Sequence, residues 1–198
     1  MTVGIRSRLG IRSRSNSKGS IGSVKSSDSE VGQNYNPLAN TPLSNQQHTA
    51  AFEWVHASSK YIPANAVQGG IESSGLPLFI ARAYYQDGLH PGKAGSHLPT
   101  GAVIGYSWSE VHVLEYQILC GDGSRLRWIR QSGPLDISGF MPLCAGHEKN
   151  GDPLYVAKVV YAGSQQIGKC GSHLKGGSSF AYDGKERSAT EYMILAYV

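Results

Sequence analysis

With 198 residues, 40% of them apolar, the chain carries enough hydrophobic material for one or two small domains. Its net charge of +4 sits wholly in the first fifty positions, which hold six of the 18 Lys and Arg and two of the 14 Asp and Glu. The remaining 12 basic and 12 acidic side chains cancel. That balance excludes bulk electrostatic attraction of the globular part to nucleic acid, and no apolar run is long enough for a secretory leader or a membrane span.

Residues 1–50 read as a disordered Ser/Arg-rich tail and polar linker. Nine serines are mixed with Arg6, Arg8, Arg12, Arg14, Lys18 and Lys25 before residue 31, and no aromatic side chain is there to offset the entropy of ordering. Such a basic run suits anionic lipid or RNA, so nucleic acid is expected as a partner only through the tail. Cys120, Cys144 and Cys170 form an odd set and no Asn-x-Ser/Thr sequon occurs, so a reduced, cytoplasmic protein without a transmembrane segment is expected.

From Phe52 onward the chain reads as short β-strands. Glu53–His56, Ala66–Val67, Leu78–Tyr85 and Val103–Tyr106 are apolar or β-favouring, and Gly-Gly, Ser-Gly, Asp-Gly and Pro-Gly pairs separate them as turns. Val111–Leu119 ends in a period of two, the mark of a half-buried strand. Arg127-Trp128-Ile129 then restarts the series by mirroring Glu53-Trp54-Val55. No apolar stripe of helical period persists for three turns, so the fold class is all-β.

The restart is an internal repeat. Gly92-Lys93-Ala94-Gly95-Ser96-His97-Leu98 returns 76 residues later as Gly168-Lys169-Cys170-Gly171-Ser172-His173-Leu174. At the same offset Gly70, Glu72, Pro77, Tyr106, Glu110 and Tyr116 fall on identical residues. The expected organisation is a first repeat at 51–121 and a second at 122–198, forming one globular unit. A repeat of this size, with four or five short antiparallel strands, does not easily bury its inner face alone. Two copies packed as a pseudo-twofold pair do.

Four constellations bear on chemistry. Gly163 to Cys170 nearly spells a phosphate-binding loop, but Cys170 has no hydroxyl for Mg²⁺ and no helix follows, so it is set aside. Cys144, His147, Cys170 and His173 have zinc-like spacing, yet the first copy has Gln68, Ile71 and Ala94 at three of those positions, so structural roles are favoured and no cofactor is expected. Ser96-His97 and Ser172-His173 are sequence neighbours, which suits turn hydrogen bonding better than a nucleophile and base, so an enzyme is not expected. Glu72 with Lys93, and Glu148 with Lys169, pair an acceptor with a donor beside glycines, which suits a hydroxyl-rich ligand; an exposed ion pair reads equally well. Trp54 and Trp128, at matching strand positions, are expected in the core rather than under a sugar.

The ordered set Trp54-Val55, Ile62-Pro63, Ala66-Val67, Gly69-Gly70, Glu72, Pro77–Ala83, Pro91–Gly95 and Glu110 to Leu119, repeated from Trp128 to Leu195, resembles the DM-nine repeat family over residues 52–198. The resemblance implies a compact two-repeat β domain and a non-enzymatic, calcium-independent lectin for mannose or mannose-containing glycans, acting as a soluble pattern-recognition factor of innate immunity on microbial surfaces. It also implies that Glu72 and Lys93 contact the sugar, with Glu148 and Lys169 as the second-copy counterparts. Two sites per chain, or a homodimer, supply avidity. The alternative is an intracellular protein-interaction module whose basic tail docks on membrane or RNA.

Overall fold

The computed structural model describes residues 51–198; the readings of the tail lie outside the described residues. The first repeat forms β1 (Phe52–Ser58), β2 (Gln68–Ile71), β3 (Pro77–Tyr85), β4 (Gly88–Ala94), β5 (Ala102–Tyr106), β6 (Ser109–Val113) and β7 (Glu115–Gly121). The second repeats the series as β8 (Leu126–Ser132), β9 (Cys144–His147), β10 (Pro153–Tyr161), β11 (Ser164–Cys170), β12 (Ser178–Tyr182), β13 (Lys185–Ala189) and β14 (Glu191–Tyr197). Among the described residues no helix is long and apolar enough to cross a membrane.

The strand order is β1-β7-β3-β2-β11-β12-β13-β6-β5-β4-β9-β10-β14-β8. Exchange each strand for its counterpart in the other repeat, read the list backwards, and the same list returns. This is the pseudo-twofold pair expected from the repeat, and the fold is all-β. The structure adds how the halves join. Ile71 of β2 pairs with Gln165 of β11, Leu89 of β4 with His147 of β9, and Ser109 of β6 with Lys185 of β13. With the pairings β2–β3, β3–β4, β9–β10 and β10–β11, the first two of these close six strands into a ring.

Glycine makes the crossings feasible. A Cβ on Gly70 would lie 2.1 Å from the Gln165 carbonyl oxygen, and one on Gly146 would lie 1.8 Å from that of Leu89. Both are closer than any side chain tolerates, so the bare backbone is what lets one half reach the other. Leu78, Ile80 and Leu119 of the first repeat and Val156, Ile167 and Leu195 of the second belong to one buried cluster. Each repeat also keeps a cluster of its own, around Ile104 and Ile118 in one and around Phe180 and Ile194 in the other.

Three expectations change, the first being the count, since each repeat holds seven strands rather than four or five. Val111–Leu119 is not one strand: the chain bends at exposed Leu114, because β6 pairs with β5 whereas β7 pairs with β1 and β3. Gly69-Gly70 and Pro91-Gly92 lie inside β2 and β4 rather than in turns. Pro91 is accommodated because pairing of β4 to β5 begins only at Gly92, so its missing N–H costs no bond on that side. The tight hairpins lie elsewhere, at Gln86-Asp87, Ser107-Trp108, Ala162-Gly163 and Asp183-Gly184, each with both residues at positive φ.

Candidate functional site: two acid–amine pairs completed across the repeats

Glu72 and Glu148 each open the turn that follows β2 or β9. The Glu72 amide donates to the Leu76 carbonyl at 2.8 Å and the Gly75 amide donates back to the Glu72 carbonyl at 2.9 Å; Glu148, Asp152 and Gly151 do the same at 2.9 Å each. Gly75 (φ 87) and Gly151 (φ 90) close those turns in the left-handed region. Lys93 and Lys169 stand on β4 and β11, and each Nζ is 3.7 Å from its glutamate, Lys93 from Glu72 and Lys169 from Glu148. The structure therefore brings together all four residues singled out in the sequence, as two pairs.

The partners in each pair differ in exposure. Both lysines are only 4% exposed, whereas the Glu72 and Glu148 side chains keep 19% and 22% of their surface. The carboxylate is the edge that meets solvent and the ammonium lies behind it. Burial lowers the Lys93 pKa, and Glu72 and Glu110 oppose that shift. Gly92 and Gly168, before the lysines, do not open a wall for a ligand. A Cβ there would lie 2.3 Å from the Val103 carbonyl oxygen and 2.1 Å from that of Ser179, so these glycines admit the neighbouring strand.

Each pair is completed by the opposite repeat. Lys93 Nζ donates to Gln166 Oε1 at 2.5 Å, and Gln166 Nε2 donates to Glu72 Oε2 at 2.8 Å, so a buried amide from β11 bridges the first pair. The position equivalent to Gln166 is His90 on β4, and it faces the second pair. His90 Nε2 donates to the Tyr85 carbonyl at 3.1 Å, which leaves Nδ1 as an acceptor 3.4 Å from Lys169 Nζ. Tyr182 and Tyr106 exchange in the same sense: Lys93 lies 5.9 Å from the ring of Tyr182, and Lys169 lies 5.6 Å from that of Tyr106.

Further acids and histidines ring the amines. Lys169 Nζ is 3.5 Å from Glu186 Oε1. With His90 and Glu148 it thus has acceptors at 3.4, 3.5 and 3.7 Å, all beyond the about 2.7–2.9 Å of a tight N⁺–H···O⁻ bond. His173 Nε2 meets Glu148 Oε1 at 3.2 Å, while His97 Nε2 is 4.0 Å from Glu72 Oε1. These rings fold back over Gly171 and Gly95, where a Cβ would lie within 3 Å of them. Among the described residues, His97 Nε2 and Glu110 Oε2 are buried without a hydrogen-bond partner. A shallow hollow of about 650 Å³ lies beside Glu148, lined also by Lys149, Asn150, Asp152 and His173.

Sequence reading missed Glu110, Glu186, His90, Gln166, Tyr106 and Tyr182. The acids and tyrosines carried a usable signal, since they are identical between the copies at polar or half-buried strand positions. Gln166 and His90 carried none, because there the copies disagree. The other candidates resolve simply. Cys144 and Cys170 pair with Tyr155 from opposite sides of β10, and burial pushes the Cys170 thiol up to about 12. Among the described residues no group of three or more His, Cys, Asp and Glu has metal-binding geometry. Gly163–Cys170 is a hairpin turn and strand, without the helix a phosphate loop needs. Trp54 and Trp128 are half-buried against the shared cluster, with Arg82 and Lys158 stacked 4.0 and 4.1 Å from their rings.

No curated protein matches the chain. Among solved structures it is similar to the nematode sperm cell motility protein MFP2B, with a TM-score of 0.52 at 13% identity; the alignment covers 74% of this chain and 47% of that one. The chain thus spans about half of that protein, and the likeness concerns the fold alone. The family model for the DM9 repeat matches residues 15–113 and 94–189, and the two matches end 189 − 113 = 76 residues apart, the offset of the internal repeat. Two tandem matches that together span most of the sequence, with a fold that maps onto itself when the copies are exchanged, decide the matter: the chain belongs to the DM9 repeat family.

Proposed function

We propose that this protein binds carbohydrate, of mannose type and without calcium, through its two Glu–Lys pairs. The observation that carries the reading is the duplicated pair itself, held at 3.7 Å in both halves with the carboxylate outward and the ammonium behind it. An ionised carboxylate accepts from two neighbouring hydroxyls, a vicinal arrangement that pyranoses offer. The ammonium, 3.7 Å behind, offsets the carboxylate's negative charge. In the second pair its acceptors lie at 3.4 to 3.7 Å, long enough to leave N–H capacity for a ligand hydroxyl. No cation is needed to organise such a site.

One such site binds weakly, because few apolar contacts offset the cost of ordering a sugar. Two sites on one rigid unit, or four in a homodimer, raise the affinity for a repetitive glycan. A microbial surface is such a target, and the role proposed is that of a recognition factor rather than an enzyme. Retention on immobilised mannose in the presence of a chelator tests the reading. The wild-type chain is expected to be retained and Glu72→Ala/Glu148→Ala to pass through while still folded by circular dichroism. Equal retention of the double variant, or retention only with calcium, contradicts it.

A further inference from the structure

We propose that Trp108 forms a second sugar subsite beside the Glu148–Lys169 pair, so that this site takes an oligosaccharide and the other takes a single residue. The proposal rests on the carbohydrate reading above and deepens it.

Trp108 occupies the second position of the Ser107-Trp108 hairpin, where φ is 67 and the equivalent residue in the second repeat is Gly184. A bulky side chain adopts that left-handed conformation at a cost that glycine avoids. Burial does not repay the cost, for Trp108 is 78% exposed. A large aromatic held out in solvent on a strained turn fits contact with something outside the chain.

Its backbone ties it to the second pair. The Trp108 amide donates to Glu186 Oε2 at 3.0 Å, and the Glu186 amide donates to the Trp108 carbonyl at 3.1 Å. The other oxygen of that carboxylate is the one 3.5 Å from Lys169 Nζ. One carboxylate therefore links the tryptophan backbone to the amine. At the first pair the matching contact is the Glu110 amide donating to the Gly184 carbonyl at 3.3 Å, and glycine offers no ring there. The indole presents a flat apolar face with a polar edge, which matches the C–H face and hydroxyl rim of a pyranose. The first sugar residue engages Glu148 and Lys169, and the next stacks on Trp108.

The test titrates the full chain with methyl α-mannoside and with a linear mannotriose, both monovalent, and compares wild type with Trp108→Gly and Trp108→Phe. Glycine copies residue 184 and suits the left-handed turn, so the variant is expected to fold. Wild type is expected to prefer the trisaccharide by roughly five- to tenfold. Trp108→Gly is expected to lose that preference while keeping the monosaccharide affinity, and Trp108→Phe to retain most of it. A preference unchanged in Trp108→Gly overturns the subsite and leaves the Glu–Lys reading standing. No binding of either sugar by wild type overturns both.

Discussion

His90 and Gln166 occupy equivalent places and make the two sites chemically unequal. Gln166 serves lysine and glutamate at once, whereas His90, its Nε2 committed to Tyr85, only accepts. Burial, and then the Lys169 ammonium, hold the His90 imidazole below its ordinary value; Glu148, the Tyr85 carbonyl and Glu186 pull the other way. The Tyr106 ring, 5.0 Å away, adds to the shielding from water. Because the folded value is the lower one, the unfolded chain takes up the proton first as pH falls. Stability from neutral His90 is therefore complete above about pH 6.5 and is lost progressively below it. His90→Gln, which copies the first site, is expected to flatten the fall in Tm between about pH 6.5 and 5 relative to wild type. Parallel curves for the two proteins contradict this assignment.

Lys93 admits a second test at this scale. Replacing it with Met leaves Glu72 and Glu110 facing an uncharged wall and should cost about 3 kcal/mol at neutral pH in a urea titration. A neutral substitution at pH 7 contradicts the buried-pair account. Glu72 and Lys93 were legible in the sequence because repetition marked them. Gln166 and His90 were not, since what selects them is the neighbouring repeat and not their own.

At the scale of the element, the strands announced themselves through apolar runs and period-two alternation. The glycines did so only in part. Gly75 and Gly151 serve backbone conformation, Gly75 where a Ser-Gly turn was expected, whereas Gly70, Gly92, Gly146 and Gly168 serve close approach, which sequence pattern does not distinguish from a turn. Gly146→Ala separates the two roles. Its Cβ would meet the Leu89 carbonyl oxygen at 1.8 Å, so β9 must move off β4, at a cost of about 2–3 kcal/mol or more. A Tm within a degree of wild type contradicts the close-approach role.

At the scale of the described residues, the molecule is two copies laced into one body. Its duplication and pseudo-twofold relation were visible from the 76-residue offset, but the lacing was not. The three strand pairs that join the halves each register a single residue, and no local pattern encodes a pairing so short and so distant in sequence. A consequence is that residues 51–121 and 122–198 expressed alone should lack a cooperative transition, since each loses its share of the common cluster. A cooperative melt from either half contradicts the lacing. The same arrangement builds both candidate sites from both repeats, so the sites and the fold depend on one architecture.

That dependence is tested most directly by following backbone amide resonances of the full chain as methyl α-mannoside is added with chelator present. The account predicts two groups of shifted signals, one at Glu72, Lys93 and Gln166 and the other at Glu148, Lys169 and His90, each drawing on both repeats. Shifts confined to one repeat, clustered instead around Trp54 and Arg82, or missing at saturating sugar would contradict it.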